Sequence, residues 1–302
     1  MMMPMHEDAS LDYDAAERLL RWYAEQKADG VFGLCYSSEI FQLTSRERLE
    51  TARFLLDHVP KQLDMVLSAH VDDDLNTQIR EIGQLAELGA DKIVLIANRL
   101  ARQDEDDDVL YKNTDRILNT FPSLSFGLYE CPQPYRRLFS PETLRRLAQT
   151  NRFCFIKETS CDPQIVRAKI EAVQGTPLKI FNANAATLLE TLRYGASGFC
   201  GIMCNFHTDL YARLYRAYLE QDWAFAQQLQ NRLGLFSCFE RMNYPCNAKL
   251  YQKQNLGMSG VSRLKDVNDM RASYFYELDD LRFAEEETHA WIAEHDKNQT
   301  SH

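Results

Sequence analysis

The chain has 302 residues, 45% hydrophobic and 26% charged, with a formal net charge of −10. That balance suits a globular protein with a sizeable core, and with no Lys/Arg-rich run it argues against nucleic acid and anionic membrane surfaces as partners. The opening Met1-Met2-Met3-Pro4-Met5-His6-Glu7-Asp8 has neither a basic stretch nor a long apolar one, and no apolar run is long enough to span a bilayer, so a cytoplasmic protein with no membrane contact is expected.

Leu11, Ala15, Leu19, Leu20 and Tyr23 recur at helical spacing, predicting an amphipathic helix over residues 10–26. Gly30-Val31-Phe32-Gly33-Leu34-Cys35-Tyr36 then reads as a short buried strand. Helix and strand alternate from there. Thr44-Ser45-Arg46-Glu47 is a capping box opening a helix to about His58. Strand 63–70, helix 76–88, strand 92–97, helix 108–120 and strand 124–130 follow. Ser140-Pro141-Glu142-Thr143 caps a helix reaching Gln149, with proline at its first position. Next come strand 154–160, helix 162–173, strand 178–182, helix 185–194 and strand 198–203, and after Asn205 the chain reads as helical to its end.

Seven short apolar strands, each followed by a helix, imply a parallel sheet covered by helices, and the repeat length suits a TIM (β/α)₈ barrel. A doubly wound sheet would need a glycine-rich phosphate turn after its first strand, and none is present. The expected organisation is a barrel over residues 1–205 with a C-terminal helical region, residues 206–302, packed on it. The eight cysteines are scattered singly with no CxxC pair, and read as reduced core residues. No structural zinc site is expected from Cys200 and Cys204, which lack a matching cluster, and no metal enters the reading.

The chemistry centres on Phe153-Cys154-Phe155-Ile156-Lys157-Glu158-Thr159-Ser160, where a buried strand ends on a lone lysine. In a barrel, functional side chains project from strand C-terminal ends, and apolar walls lower a lysine pKa and free its lone pair for attack on a ketone. The bland alternative is a lysine extending its head to solvent. The preceding strand ends in Tyr129-Glu130-Cys131-Pro132, which puts a phenol beside the amine as a proton relay, although a lone strand tyrosine is more often core. Cys35-Tyr36-Ser37-Ser38-Glu39 places hydroxyls and backbone N–H groups at the same mouth, a turn that suits a carboxylate. Its bland reading is a polar loop with Glu39 paired to a nearby lysine or arginine. His70 and His207 follow strands and could reach the mouth, but read as hydrogen-bonded structure.

Together these stretches resemble the dihydrodipicolinate synthase and N-acetylneuraminate lyase family of class I aldolases. Cys35-Tyr36-Ser37-Ser38-Glu39 matches the family's Gly-Ser/Thr-Thr-Gly-Glu, Tyr129-Glu130-Cys131-Pro132 its Tyr-Asn-x-Pro, and Ile156-Lys157-Glu158-Thr159-Ser160 its Ile-Lys-Asp-Ser-Ser. Weaker matches, among them Leu138-Ser140-Pro141-Glu142, Gly195-Ala196-Ser197-Gly198 and Tyr244-Pro245, extend the likeness over most of the chain. The resemblance implies Lys157 as Schiff-base nucleophile toward pyruvate or another 2-oxo acid, and Tyr129 as proton shuttle. It implies Ser37 as carboxylate ligand, with Ser38 or Tyr36 assisting, no cofactor, an aldehyde as the second substrate, and a homo-oligomer, dimer or tetramer.

Four departures mark the chain as a divergent member. Cys35 and Ser38 stand where the family turn carries glycines, and Tyr36 replaces a small hydroxyl residue. Pro134 stands where the synthases carry a carboxylate-binding arginine, leaving Arg136 or Arg137 as substitutes. The loop Ala97-Asn98-Arg99-Leu100-Ala101-Arg102 lacks the synthases' second relay tyrosine. Met3-Pro4 matches a Thr-Pro pair that ordinarily follows a first barrel strand, so that strand is expected to be missing or truncated, with an exposed edge. The expected function is therefore a lyase or aldolase for a hydroxy- or sugar-derived 2-oxo acid. The alternatives are dihydrodipicolinate synthase proper, or a catalytically weakened barrel that binds a small oxo acid or sugar acid.

Overall fold

The computed structural model describes residues 1–68 and 70–300, and among these seven parallel strands form one curled sheet in sequence order. The strands are β1 (Gly30–Gly33), β2 (Asp64–Leu67), β3 (Lys92–Ile96), β4 (Ser125–Tyr129), β5 (Phe153–Glu158), β6 (Lys179–Asn182) and β7 (Gly198–Phe199). Helix α1 (Tyr13–Glu25) precedes them. Between them run α2 (Ser45–His58), α3 (Leu75–Glu87), α4 (Ala97–Leu100), α5 (Asp107–Thr120), α6 (Pro141–Ala148), α7 (Pro163–Ala172) and α8 (Leu188–Tyr194). After β7 come α9 (Thr208–Leu219), α10 (Trp223–Phe236), α11 (Cys246–Tyr251), α12 (Lys253–Leu256) and α13 (Ala272–Thr300). This is a TIM-barrel-like α/β fold with a C-terminal helical extension. No described helix is long and apolar enough to cross a membrane.

Local chemistry accounts for the helix starts. Thr44 and Glu47 form the reciprocal capping box, Ser140 accepts from Thr143 N–H ahead of Pro141, and Asp12, Asp74, Asp106 and Asp162 cap four more helices. Three differences from the expected elements have local causes. β1 stops at Gly33 because Ser38 and Ile40 turn their N–H groups back to the Cys35 carbonyl, winding residues 36–38 into a 3₁₀ turn. β7 is only two residues long, and residues 202–205 are again 3₁₀. The C-terminal helices break at Gly257, left-handed at φ 67°, and a largely non-helical stretch follows before α13.

The edge of β1 is not bare as expected. Met1, Met2 and Met3 are buried beside it, the Met1 ammonium donates to the Phe32 carbonyl, and Ser38 Oγ donates to the Met1 carbonyl at 2.8 Å. Backbone groups that would otherwise face solvent at this edge are thus engaged.

Two fully buried ion clusters tie the helices to the barrel. Lys169 on α7 donates to Glu130 Oε1 at 2.6 Å and to Glu158 Oε1 at 2.7 Å, all three side chains being fully enclosed. Glu130 also accepts from Phe139 N–H and Thr159 N–H, both at 2.9 Å. At the other cluster Lys249 on α11 donates to Glu39 Oε1 at 2.6 Å, and Glu39 Oε2 accepts from Ser262 Oγ, Arg263 N–H and Leu264 N–H. Glu39 therefore has the lysine partner that its bland reading foresaw, and through it the C-terminal region is anchored to the turn after β1.

Such pairs are costly to break, because the remaining charge stays out of water. Lys169→Met should lower unfolding stability by about 3–5 kcal/mol near neutral pH. The deficit should narrow on acidification, since burial already raises the Glu130 pKa and protonation removes the uncompensated charge. Urea melts of the variant and the parent at several pH values check this. A loss below about 1 kcal/mol at neutral pH would contradict it.

Candidate active site

Side chains alternate faces along a strand, so neighbouring residues at a strand end serve opposite layers. On β4 and β5 this separates two kinds of chemistry. Glu130 and Glu158 turn outward to Lys169 in the helical layer, while Tyr129 and Lys157 turn into the barrel. Tyr129 and Lys157 are register partners in the parallel ladder, and Lys157 Nζ lies 5.2 Å from the Tyr129 ring centroid. Both are buried, at 2% and 8% exposure. Phe32 stands edge-on to Tyr129 at 5.3 Å and its ring centroid lies 5.9 Å from Lys157 Nζ; Phe155 and Phe181 continue the aromatic wall. Gly127 makes room for that wall, since a Cβ there would stand 3.0 Å from both Phe155 and Val94.

The electrostatics differ from an amine simply depressed by apolar walls. Burial works to lower the Lys157 pKa, but Cys200, Cys35, Cys131 and Cys204 act on it from around the pocket and the net direction is upward. Burial raises Cys131 to about 11, Cys204 to about 12, and Cys200 in the same direction, so these are neutral thiols near pH 7. Cys35 is the exception. Burial works to raise it too, but the Met1 ammonium, Lys157 and hydrogen bonds from Ser38 bring it down to about 6. Cys35 and Lys157 thus each favour the other's charged form. Tyr129, by contrast, is raised well above the ordinary phenol value, chiefly by burial, and its hydroxyl interacts with the Cys131 sulfur.

The other residues singled out from sequence fall around the turn after β1. Ser37 is buried, and its hydroxyl interacts with Tyr244, whose phenol accepts from Asn205 Nδ2 at 3.0 Å. Ser38 is also buried, but its hydroxyl is spent inside the protein, donating to Met1 and accepting from Cys35 N–H at 3.2 Å. Tyr36 is half-buried, with burial the main cause of its raised pKa and Cys131 the next. Arg136 is exposed to solvent, whereas the adjacent Arg137 pairs with Asp107 at 2.7 Å. The structure thus brings Lys157 and Tyr129 together and does not bring Arg136 in from the surface.

Several contributors escaped the sequence reading. Asn98 donates to the carbonyls of Cys131 at 3.0 Å and Gln133 at 2.8 Å and to that of Tyr135, while Tyr135 Oη donates back to Asn98 and Ala101. These bonds latch the loop after β4 to the loop after β3. The cysteines taken for core filler include four that surround the lysine. Tyr244 is supplied from the C-terminal region, and its Tyr-Pro pair was the one visible signal. His70 is buried and neutral, its pKa lowered to about 4 mainly by burial, and its Nε2 accepts from Ile96 N–H at 2.7 Å. His207 lies at the start of α9, with its ring against Phe206, Tyr211 and Phe236.

Comparison with known proteins agrees with this fold. The model of the dihydrodipicolinate synthetase family matches residues 1–247. The chain is 24% identical over 236 residues to 4-hydroxy-tetrahydrodipicolinate synthase of Neisseria gonorrhoeae, covering 77% of this chain and 78% of the relative. It is 23% identical over 205 residues to the synthase of that name from Coxiella burnetii, covering 68% of each. Among solved structures, the 4-hydroxy-tetrahydrodipicolinate synthase of Methylacidiphilum fumariolicum SolV superposes with a TM-score of 0.86 at 21% identity, over 97% of this chain and 96% of that one. A prophage protein of the dihydrodipicolinic acid synthase family from E. coli K12, in complex with pyruvate, gives 0.82 at 20% identity over 93% and 94%. Relatives carrying these names are carbon–carbon lyases. With a family model covering most of its length, the chain belongs to the dihydrodipicolinate synthetase family.

Proposed function

We propose that the protein is a Schiff-base-forming lyase that cleaves or condenses a pyruvate-type 2-oxo acid with an aldehyde. The observation that carries this is the pairing of Lys157 and Tyr129 as register partners inside the barrel, Nζ 5.2 Å from the phenol ring. Lys157, once deprotonated, adds to the C2 carbonyl of the oxo acid, and loss of water from the carbinolamine leaves a protonated imine. Tyr129 supplies and removes protons in these steps. In cleavage, the substrate's C4 hydroxyl loses its proton, the C3–C4 bond breaks to release an aldehyde, and the electron pair is held as the enamine. Protonation at C3 and hydrolysis then free pyruvate and the lysine. The iminium is the electron sink, so the chemistry calls on no cofactor.

Ser37 and the backbone of the turn receive the oxo acid carboxylate, with Tyr36 at the rim; Ser38 shapes the turn from within. Arg136 lies outside the enclosed site, and with Pro134 in the loop this favours a hydroxy- or sugar-derived oxo acid over the substrate of the synthases. Assembly as a dimer or tetramer belongs to the same reading. A catalytically weakened barrel that binds a small oxo acid is the rival, favoured by the internal use of Ser38 Oγ and by the ammonium state of Lys157.

Borohydride trapping with pyruvate, read by intact mass and peptide mapping, separates the two. A reduced pyruvyl adduct on Lys157, absent from Lys157→Ala, is the expected result; no adduct from folded protein with pyruvate or longer 2-oxo acids would overturn the lyase reading. The pH dependence of trapping tests the cysteine's part. Because the Cys35 thiolate stabilises the Lys157 ammonium, Cys35→Ser should lower the lysine pKa and move the midpoint of imine formation to lower pH. An unchanged midpoint, or one moved upward, would refute that coupling.

A further inference from the structure

Away from the barrel mouth, α9 and α13 bring together a second group of chemistry-bearing side chains. Asp209 in the first turn of α9 and Glu285 and His289 on α13 each offer a donor atom within 4.8 Å of the others. Glu285 and His289 are four apart on a helix, so both side chains project from one face. Asp209 Oδ2 and His289 Nε2 are 2.6 Å apart, and Glu285 Oε2 accepts from the Tyr251 hydroxyl.

A separate observation points to a ligand. Fully buried, His207 finds no hydrogen-bond partner for either ring nitrogen among the described residues, and its Nδ1 faces Glu285 Oε2 at 3.8 Å. Asp209 Oδ1 is likewise buried and unpartnered. A buried imidazole ordinarily has at least one nitrogen satisfied, so an orphan whose Nδ1 faces the Glu285 carboxylate of this group indicates an absent partner.

We propose that His207, Asp209, Glu285 and His289 form a four-ligand site for a divalent transition-metal ion of the zinc type. Two imidazoles and two carboxylates are donors zinc accepts in tetrahedral geometry, and the two carboxylate charges neutralise the ion. Donors around such an ion, with bonds of about 2.1 Å, stand roughly 3.4 Å apart, a spacing bracketed by the 2.6 Å between Asp209 and His289 and the 3.8 Å between His207 and Glu285. Tyr251, already bonded to Glu285, would orient that ligand from behind. The ion would pin α13 to the start of α9.

The test uses the full chain, stripped of metal with a chelator and titrated with Co²⁺ and then Zn²⁺. One Co²⁺ per chain should bind with the visible ligand-field absorption of a four-coordinate site and be displaced by Zn²⁺, and thermal stability should rise with either ion. His289→Gln and Glu285→Gln, both on the outer helix and checked for folding by circular dichroism, should each weaken binding by about 100-fold or more. Binding unchanged in the folded variants, no stoichiometric binding by the parent chain, or a sulfur-to-cobalt charge-transfer band showing cysteine ligation would overturn the assignment.

Discussion

The structure depends on a salt cluster that no solvent reaches. Glu130 and Glu158 sit one residue beyond the two side chains that face each other in the barrel, and Lys169 holds both carboxylates from the helical layer. Because faces alternate along a strand, fixing the outward residue fixes the phase of the inward one. The ionic cluster therefore constrains the ends of β4 and β5 where Tyr129 and Lys157 must meet. Desolvation makes the arrangement costly, which is why each charge is met by more than one partner. Glu158 Oε2 is the exception, buried without a hydrogen-bond partner among the described residues.

A second constraint works in the same way on the opposite side of the mouth. Glu39 lies just after the turn that carries Ser37 and takes the left-handed conformation at φ 58°. Its carboxylate gathers Lys249, Ser262 and two backbone N–H groups from the C-terminal region. The C-terminal helices are thus part of the site's frame, and they also deliver Tyr244 to the Ser37 hydroxyl. Between these anchors lie the pocket cysteines, of which Cys35 is coupled most directly to the charge of Lys157 at neutral pH. Burial raises Cys131, Cys200 and Cys204, whereas Cys35 is lowered and favours the charged form of Lys157.

Much of the architecture was legible in one dimension. Apolar periodicity, capping boxes and Pro141 placed the helices to within a few residues, because these signals act locally through hydrogen bonds to the chain's own backbone. The alternation of short strands with helices implied the parallel sheet, and Tyr129 and Lys157 could be placed side by side because consecutive strands of such a barrel are neighbours. The 3₁₀ ending of β1 was not legible, since it depends on Ser38 and Ile40 folding back on the Cys35 carbonyl.

What the sequence by itself determined was the order and phase of the elements, the placing of Lys157 and Tyr129 at neighbouring strand ends, and the family. Tertiary structure alone decided which charges meet. Glu39 with Lys249 and Glu130 with Lys169 are both far apart along the chain, and pairing at that range follows from how layers pack, not from local spacing. It also decided the state of the lysine. A pKa is set by its surroundings in space, and Cys35 and Lys157, which favour each other's charged forms, arrive from different strand ends.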